Sequence, residues 1–343
     1  MSALEDEIRS QPRLLELRSS LVDAEVKSAA GLIGRGDVTH LLIAARGSSK
    51  NAARFAQYVW GAESGILVDV ARPLLFQTPR RMNLRGTAIV GISQSGASPD
   101  VVNVLKAGKE QGRPIIAITN DVDSPMADLA DVVVPLFVGE ERAVPSTKTF
   151  LACLQSVMQI EQKLDPDPAR STLIERIPEV VAEAIETSFQ NPDLLSLPHG
   201  ARSLTVIGRG TGYAAACEIA LKIREVSGIT AESFSAAEYL HGPISGNGID
   251  STVWIIASPD RDQSYWSSLA TQLEERGCQV LTLWPSQLVP SHSIGMGFPD
   301  PMPSWMFAIL ATVIGQVAAL LAGEKLGRDV DSPEGLLKIT RTL

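Results

Sequence analysis

The chain reads twice. Leu41-Leu42-Ile43-Ala44-Ala45-Arg46-Gly47-Ser48-Ser49 aligns with Leu204-Thr205-Val206-Ile207-Gly208-Arg209-Gly210-Thr211-Gly212, an offset of 163 residues. Each copy is an apolar run, then Arg-Gly, then a small polar turn. The next unit recurs too: Val90-Gly91-Ile92-Ser93 stands opposite Ile255-Ile256-Ala257-Ser258, and Glu110-Gln111-Gly112 opposite Glu275-Arg276-Gly277. A repeat of this length means two copies of one supersecondary plan.

Short apolar runs at Leu41–Ala45, Ile66–Val70, Ala88–Ile92, Ile115–Thr119 and Val132–Pro135 alternate with helical stretches. A second series runs through Leu204–Ile207, Ile229–Phe234, Val253–Ile256 and Val280–Leu283. Strands that are apolar throughout, rather than at every second position, need cover on both faces. The fold class is therefore α/β, with two tandem doubly wound parallel sheets of the flavodoxin or Rossmann kind, each an αβα sandwich. At 343 residues the chain exceeds the roughly 250–300 at which a single core stops growing, which also argues for two domains. The expected boundaries are an N-terminal helical segment at 1–30, a first subdomain at 31–165, and a linker with a connecting helix at 166–190. A second subdomain at 191–325 and a C-terminal tail at 326–343 complete the chain. Asp165-Pro166-Asp167-Pro168 marks the linker after a helix over Thr149–Leu164, and Leu173–Phe189 reads as one further helix.

The formal net charge of −9 argues against general attraction to nucleic acid or to anionic membranes, and no helix-turn-helix or basic arm is apparent, so small anions must be bound locally. Cys153, Cys217 and Cys278 are odd in number and widely spaced. That fits a reduced cytoplasm better than a disulfide framework or a zinc site, and no metal or other cofactor is expected. The N-terminus lacks the basic and apolar regions of a secretory signal. Trp305–Ala322 reaches the lower length of a membrane span, but Pro303-Ser304 starts it, Gly323 stops it, and Gly315 and Gln316 interrupt it. A buried core helix is the better reading.

Ser93-Gln94-Ser95-Gly96-Ala97-Ser98-Pro99-Asp100 follows the apolar run Thr87–Gly91 and precedes the helical pattern Val101–Gln111. Hydroxyls and a glycine between a strand end and a helix start read as a phosphate cradle, built on free backbone N–H groups and the helix dipole. A Ser-rich turn with an N-cap is the plainer alternative. The loop lacks the lysine of a nucleotide P-loop, which suits a phosphate monoester. Its counterpart, Ser258-Pro259-Asp260-Arg261, lacks the glycine and carries a carboxylate, so one phosphate site of this kind is expected, in the first half. Gly208-Arg209-Gly210-Thr211-Gly212 fails the dinucleotide fingerprint because Tyr213 stands at the third glycine position, even though Glu232 lies where a ribose-binding acid would.

A helix predicted over Tyr213–Ser227 places Glu218, Lys222 and Glu225 on one face. The trio reads either as a solvated salt-bridge face or as a carboxylate base beside an ammonium, the needs of proton transfer between sugar C1 and C2. Downstream, Glu238-Tyr239-Leu240-His241-Gly242-Pro243 offers a histidine either structural or able to shuttle a proton in ring opening. His40, His199 and His292 lie in unremarkable contexts. Ser146-Thr147-Lys148 opens a helix with hydroxyls, and Lys338 lies in an apolar C-terminal segment.

In order along the chain, Arg46-Gly47-Ser48-Ser49, Ser93-Gln94-Ser95-Gly96, Ser146-Thr147-Lys148, Glu218-x-x-x-Lys222-x-x-Glu225, Glu238-x-x-His241-Gly242-Pro243 and Asp331-Ser332-Pro333 with Lys338 resemble the SIS (sugar isomerase) domain family. Within it they look like the isomerase half of glutamine–fructose-6-phosphate aminotransferases. The resemblance implies that Ser93, Gln94, Ser95 and Ser98 hold a sugar phosphate, with Arg46, Gly47, Ser48 and Ser49 beside them, Ser146 near the sugar hydroxyls and Glu218 among the substrate contacts. It implies Glu225 as the base, Lys222 assisting, and Lys338 over the carbonyl. It also implies that His241 opens the ring from the neighbouring subunit of a homodimer with shared sites. Residue 2 is Ser where the synthases carry a catalytic cysteine, so glutamine hydrolysis is not expected. Arg46 replaces their common Cys, and Ala97-Ser98-Pro99-Asp100 replaces their Glu-Thr sequence, as in stand-alone glucosamine-6-phosphate deaminases. The expected reaction converts glucosamine 6-phosphate to fructose 6-phosphate and ammonia. A fructosamine-6-phosphate deglycase, a galactosamine- or tagatose-phosphate isomerase and a non-catalytic sugar-phosphate sensor are the alternatives.

Overall fold

The computed structural model describes all residues except 79, 192–193, 195–202, 260, 285–292, 296–301 and 339–343. His199, Asp260 and His292 lie outside the described residues.

Two helices, α1 (Ala3–Leu21) and α2 (Asp23–Ile33), precede the first strand series: β1 (His40–Ala44), β2 (Leu67–Val70), β3 (Thr87–Ser93), β4 (Ile115–Thr119) and β5 (Val132–Pro135). Between and after them come α3 (Gly47–Ala62), α4 (Pro99–Lys109), α5 (Pro125–Leu129) and α6 (Lys148–Leu164). The five strands form one parallel sheet in the order β2-β1-β3-β4-β5. Every residue of β3 and β4 is buried, as their unbroken apolar runs require. Ile89, Ile115 and Ala117 pack on Val101, Leu105 and Met126 of α4 and α5, while α2, α3 and α6 pack together in the same unit. Gly91 lets this layer close: a Cβ there would stand 2.6 Å from Met126 Sδ.

The predicted single helix over Leu173–Phe189 is two, α7 (Pro168–Glu175) and α8 (Ile177–Gln190). Asp167 caps α7 by accepting the Arg170 N–H at 2.9 Å, and α7 stops at Arg176. The apolar periodicity runs on, but the helix breaks, because Pro178, in the first turn of α8, lacks the N–H that a continuous helix would use.

The second series is β6 (Ser203–Gly208), α9 (Thr211–Lys222), β7 (Thr230–Ser235), α10 (Ala236–Leu240), β8 (Thr252–Ile256), α11 (Gln263–Glu275), β9 (Gln279–Trp284), β10 (Ser293–Gly295) and α12 (Ser304–Lys325). Its strands are also parallel, in the order β10-β9-β8-β6-β7, the first sheet's connectivity repeated. α12 is the helix of membrane-spanning length; its most apolar 18-residue window is 94% buried, so it is a core helix. A Cβ at Gly315 would collide with Ile219, so this glycine sets the close approach of α12 to α9.

The chain divides into two compact units. One, the first-sheet unit, gathers Gln11–Glu141, Lys148–Pro178 and Leu337–Leu343; the other, the second-sheet unit, gathers Met1–Ser10, Arg142–Thr147 and Glu179–Leu336. In the second-sheet unit the carboxylate of Asp331 accepts the N–H groups of Ala3 (2.9 Å) and Leu4 (2.7 Å), capping α1, while its carbonyl accepts the Val144 N–H at 2.8 Å.

Candidate active site

In the first sheet the chain reverses its direction of winding between β1 and β3, which lie side by side with Ala44 opposite Gly91. Ligands of open α/β sheets sit beyond the carboxyl ends of the strands at such a switch point. Two of the sequence motifs emerge there. Arg46 is the N-cap of α3, with Gly47 at φ +53° and Ser48 and Ser49 in the first turn. The second motif starts at Ser93, the last residue of β3, and runs to Ser98, the N-cap of α4. Ser93 Oγ accepts the Gly96 N–H at 3.2 Å and Ser95 Oγ the Ala97 N–H at 3.3 Å, so the hydroxyls hold the loop's shape as well as offering donors to a ligand. The Gln94 carbonyl accepts the Asn120 N–H at 3.1 Å, tying the loop to the end of β4. Gly96 has φ +58°, and a Cβ there would collide with Ser124, so only glycine fits.

Asp100, in the first turn of α4, is 3% exposed. Its Oδ2 accepts from Arg46 Nε at 2.8 Å and Nη2 at 2.5 Å, and its Oδ1 from Gln77 Nε2 at 3.0 Å. This pairing anchors the Arg46 guanidinium beside the loop.

At the start of α6, the buried Glu141 accepts from the Thr149 N–H at 3.1 Å and the Thr149 hydroxyl at 2.8 Å. Lys338 Nζ donates to the same carboxylate at 3.0 Å, and Lys148 donates to the Glu140 carbonyl. Lys338 is thus held at the N-terminus of α6 by a carboxylate that the sequence reading did not single out. Ser146, half-buried, falls in the segment grouped with the second-sheet unit.

In that unit α9 carries Glu218 and Lys222, but the predicted continuous helix ends at Lys222 and gives way to a π-helical turn, Ile223–Ser227. Such turns recur at functional sites. Glu225 lies within it, and Lys222 donates to Glu225 and lies 3.7 Å from Glu218 Oε1. The side chains of Glu218 and Lys222 are 0% and 2% exposed and that of Glu225 is 22%, so the solvated salt-bridge face is ruled out and Glu225 is the member open to a ligand. Glu218 reaches Lys222 rather than solvent. Glu225 also forms part of the wall of a cavity of about 590 Å³.

His241 follows α10 and is exposed, with its ring outside this cluster of hydrogen bonds. At the second sheet's switch point, between β6 and β8, the backbone turns tightly: a Cβ at Gly208 would collide with the Gly212 carbonyl, and one at Gly212 would stand 3.3 Å from Ser258 Cβ. Among the described residues no cluster of His, Cys, Asp and Glu has the arrangement of a metal site, and Cys153, Cys217 and Cys278 are buried free thiols.

Comparison with known proteins agrees with the repeated two-sheet fold. The model of the SIS domain matches twice, at residues 37–160 and 199–322. The glutamine–fructose-6-phosphate aminotransferase of Aeropyrum pernix is 31% identical over 97% of this chain and 56% of its own length, so the chain spans little more than half of that relative. The C-terminal domain of glucosamine–fructose-6-phosphate aminotransferase from Francisella tularensis superposes with a TM-score of 0.84 at 22% identity, covering 97% of this chain and 98% of that one. The glucosamine-6-phosphate deaminase of Thermotoga maritima gives a TM-score of 0.78 at 23% identity, covering 99% and 100%.

Proposed function

We propose that this chain, which belongs to the SIS domain family, converts glucosamine 6-phosphate to fructose 6-phosphate and ammonia by proton transfer between C1 and C2. The observation that carries this reading is the cluster on α9 and its π turn: a buried lysine held between two carboxylates, of which Glu225 alone opens to a cavity. A base for this chemistry must touch the substrate yet keep a counter-charge out of water, and Glu225 with Lys222 meets both needs.

In the proposed reaction Ser93, Gln94, Ser95 and Ser98 donate to the phosphate oxygens, with Gly47, Ser48 and Ser49 at the start of α3 and the Arg46 guanidinium beside them. Ser146 contacts sugar hydroxyls. His241 moves the proton that opens the pyranose ring. Glu225 then takes the C2 proton and returns it to C1, Lys222 stabilises its charge, and Glu218 holds Lys222 in place. Lys338, delivered by Glu141, polarises the sugar oxygen. Water hydrolyses the resulting C2 imine, releasing ammonia. We further propose a homodimer in which His241 serves the neighbouring subunit's site; its exposure supports this. The three buried thiols suit a reducing cytoplasm.

The test is a coupled assay of fructose 6-phosphate and ammonia formed from glucosamine 6-phosphate. Turnover by the wild type with a loss of roughly 10²–10⁴-fold in Glu225→Gln is expected. Absence of turnover, or equal rates in the two proteins, refutes the reading.

A further inference from the structure

The cavity that Glu225 lines has two walls. One is the π turn, through Arg224, Glu225 and Val226; the other is the chain that follows α12, through Arg328, Ser332 and Pro333. The two walls are packed on each other. Gly323, near the end of α12, has room for no side chain: a Cβ there would stand 2.8 Å from the Val226 carbonyl and 2.8 Å from Val330 Cγ1, so the buried Val226 and Val330 meet over it. Gly228 closes the π turn at φ +73°, and a Cβ there would collide with the Arg328 guanidinium. A seam packed this closely transmits displacement rather than absorbing it. Where residues 326–336 are held therefore decides where the turn bearing Glu225 is held.

Asp331 is what holds them. Both of its carboxylate oxygens accept N–H groups from the first turn of α1, where a negative charge also meets the positive end of the helix dipole. That turn is a firm base, because Leu4 and Ile8 are buried and the Glu7 carboxylate accepts the Arg142 N–H at 2.5 Å. The Asp331 carbonyl accepts the Val144 N–H, and the Thr147 carbonyl accepts from Gln316 Nε2 of α12 at 3.4 Å. Ser146 lies between these two anchors. All of these residues belong to the second-sheet unit, so one side chain stands behind both the cavity of Glu225 and the segment of Ser146.

We propose that Asp331 is a positioning residue for the reaction above: bonded to α1 through its carboxylate and to Val144 through its carbonyl, it holds Glu225 and Ser146 in fixed relation to one another. The proposal rests on the roles given to those two residues. Asp331 itself touches α1 and Val144 and acts through the residues it places.

Hydrogen exchange and kinetics of Asp331→Asn test this. Asparagine keeps the shape and one acceptor but turns an amide donor towards one of the α1 N–H groups. Amides of 223–228 and of 142–147 should exchange at least about tenfold faster than in the wild type, while β8 and α11 of the same unit keep wild-type protection. With glucosamine 6-phosphate, kcat should fall and KM rise, each by roughly three- to tenfold. In Glu225→Gln the same substitution should no longer lower kcat, and in Ser146→Ala it should no longer raise KM, because an effect exerted through a residue vanishes with it. A role in stability alone leaves both effects in place. Ala3→Pro removes one donor at a helix position that tolerates proline and keeps Asp331 intact; it should reproduce the exchange pattern more weakly. Faster exchange confined to the first turn of α1, or spread evenly through β8 and α11, overturns the proposal, as do effects on kcat and KM that persist in Glu225→Gln and Ser146→Ala. If the wild type does not turn over glucosamine 6-phosphate, the reaction is refuted and the exchange pattern alone decides whether Asp331 couples the two segments.

Discussion

Arg46 and Asp100 are 54 residues apart and end in one ion pair. The sequence marks both, since each belongs to a motif at a strand end, but their pairing needs β1 and β3 to be neighbours, which no local pattern states. Of Lys338 and Glu141, joined across 197 residues, the sequence marks only the lysine. Asp100 holds Arg46 by two donors, so Asp100→Asn should raise KM for the phosphorylated sugar roughly three- to tenfold with a smaller change in kcat, and should weaken competitive inhibition by inorganic phosphate in the same proportion. Steady-state kinetics at fixed ionic strength check this. A second residue-scale consequence concerns Glu161, whose buried carboxyl is pushed up from 4.5 to about 7, chiefly by desolvation, with the Ser64 hydroxyl and Arg170 opposing. Its folded-state pKa is raised, so its contribution to stability is present in full below pH 4.5 and is lost as pH rises through about 7. Glu161→Gln should remove that part of the slope, and urea unfolding at several pH values between 4.5 and 8 reads it. Gly96→Ala, forced into φ +58° against Ser124, should destabilise the fold by about 1–3 kcal/mol and abolish phosphate binding, seen as a lowered Tm with no further rise on adding phosphate.

At the scale of elements the strands were legible because burial on both faces makes them apolar throughout; the predicted and observed ranges of β4 and β5 coincide. Helix interruptions were not. Ile223-Arg224-Glu225-Val226-Ser227 carries an ordinary helical pattern, and nothing in its composition separates a π turn from an α-helical one. The turn lies where α12 packs on α9, so tertiary contacts decide between the two. The contact itself hinges on Gly315. Gly315→Ala would drive a methyl into Ile219, and we expect a loss of about 1–3 kcal/mol by thermal denaturation together with a drop in kcat, because α9 carries Lys222 and Glu218.

For the whole molecule, one connectivity has been used twice with different residues at the strand ends. At the first sheet's switch point stands a loop of hydroxyls and N–H groups; at the second's, Gly208 and Gly212 allow a close approach of backbone and Ser258, and the charged cluster lies at the far end of α9. The repeat was visible in the sequence, and so was the difference between the two loops, because a lost glycine is a local fact. If His241 serves a partner's site, mixing inactive His241→Ala and Glu225→Gln proteins should restore about a quarter of wild-type activity: half the dimers are mixed, and each has one intact site of two. Proven subunit exchange without recovery would count against the shared site. The clamp at Asp331 bears on how the molecule comes to be made. The first turn of α1 is capped by a carboxylate 327 residues further along, so during synthesis that turn waits with its N–H groups open until Asp331 has been added. The intervening first-sheet unit, by contrast, has its five strands in hand by residue 135. On the ribosome the first sheet can therefore pair its strands well before the first turn of α1 receives its cap.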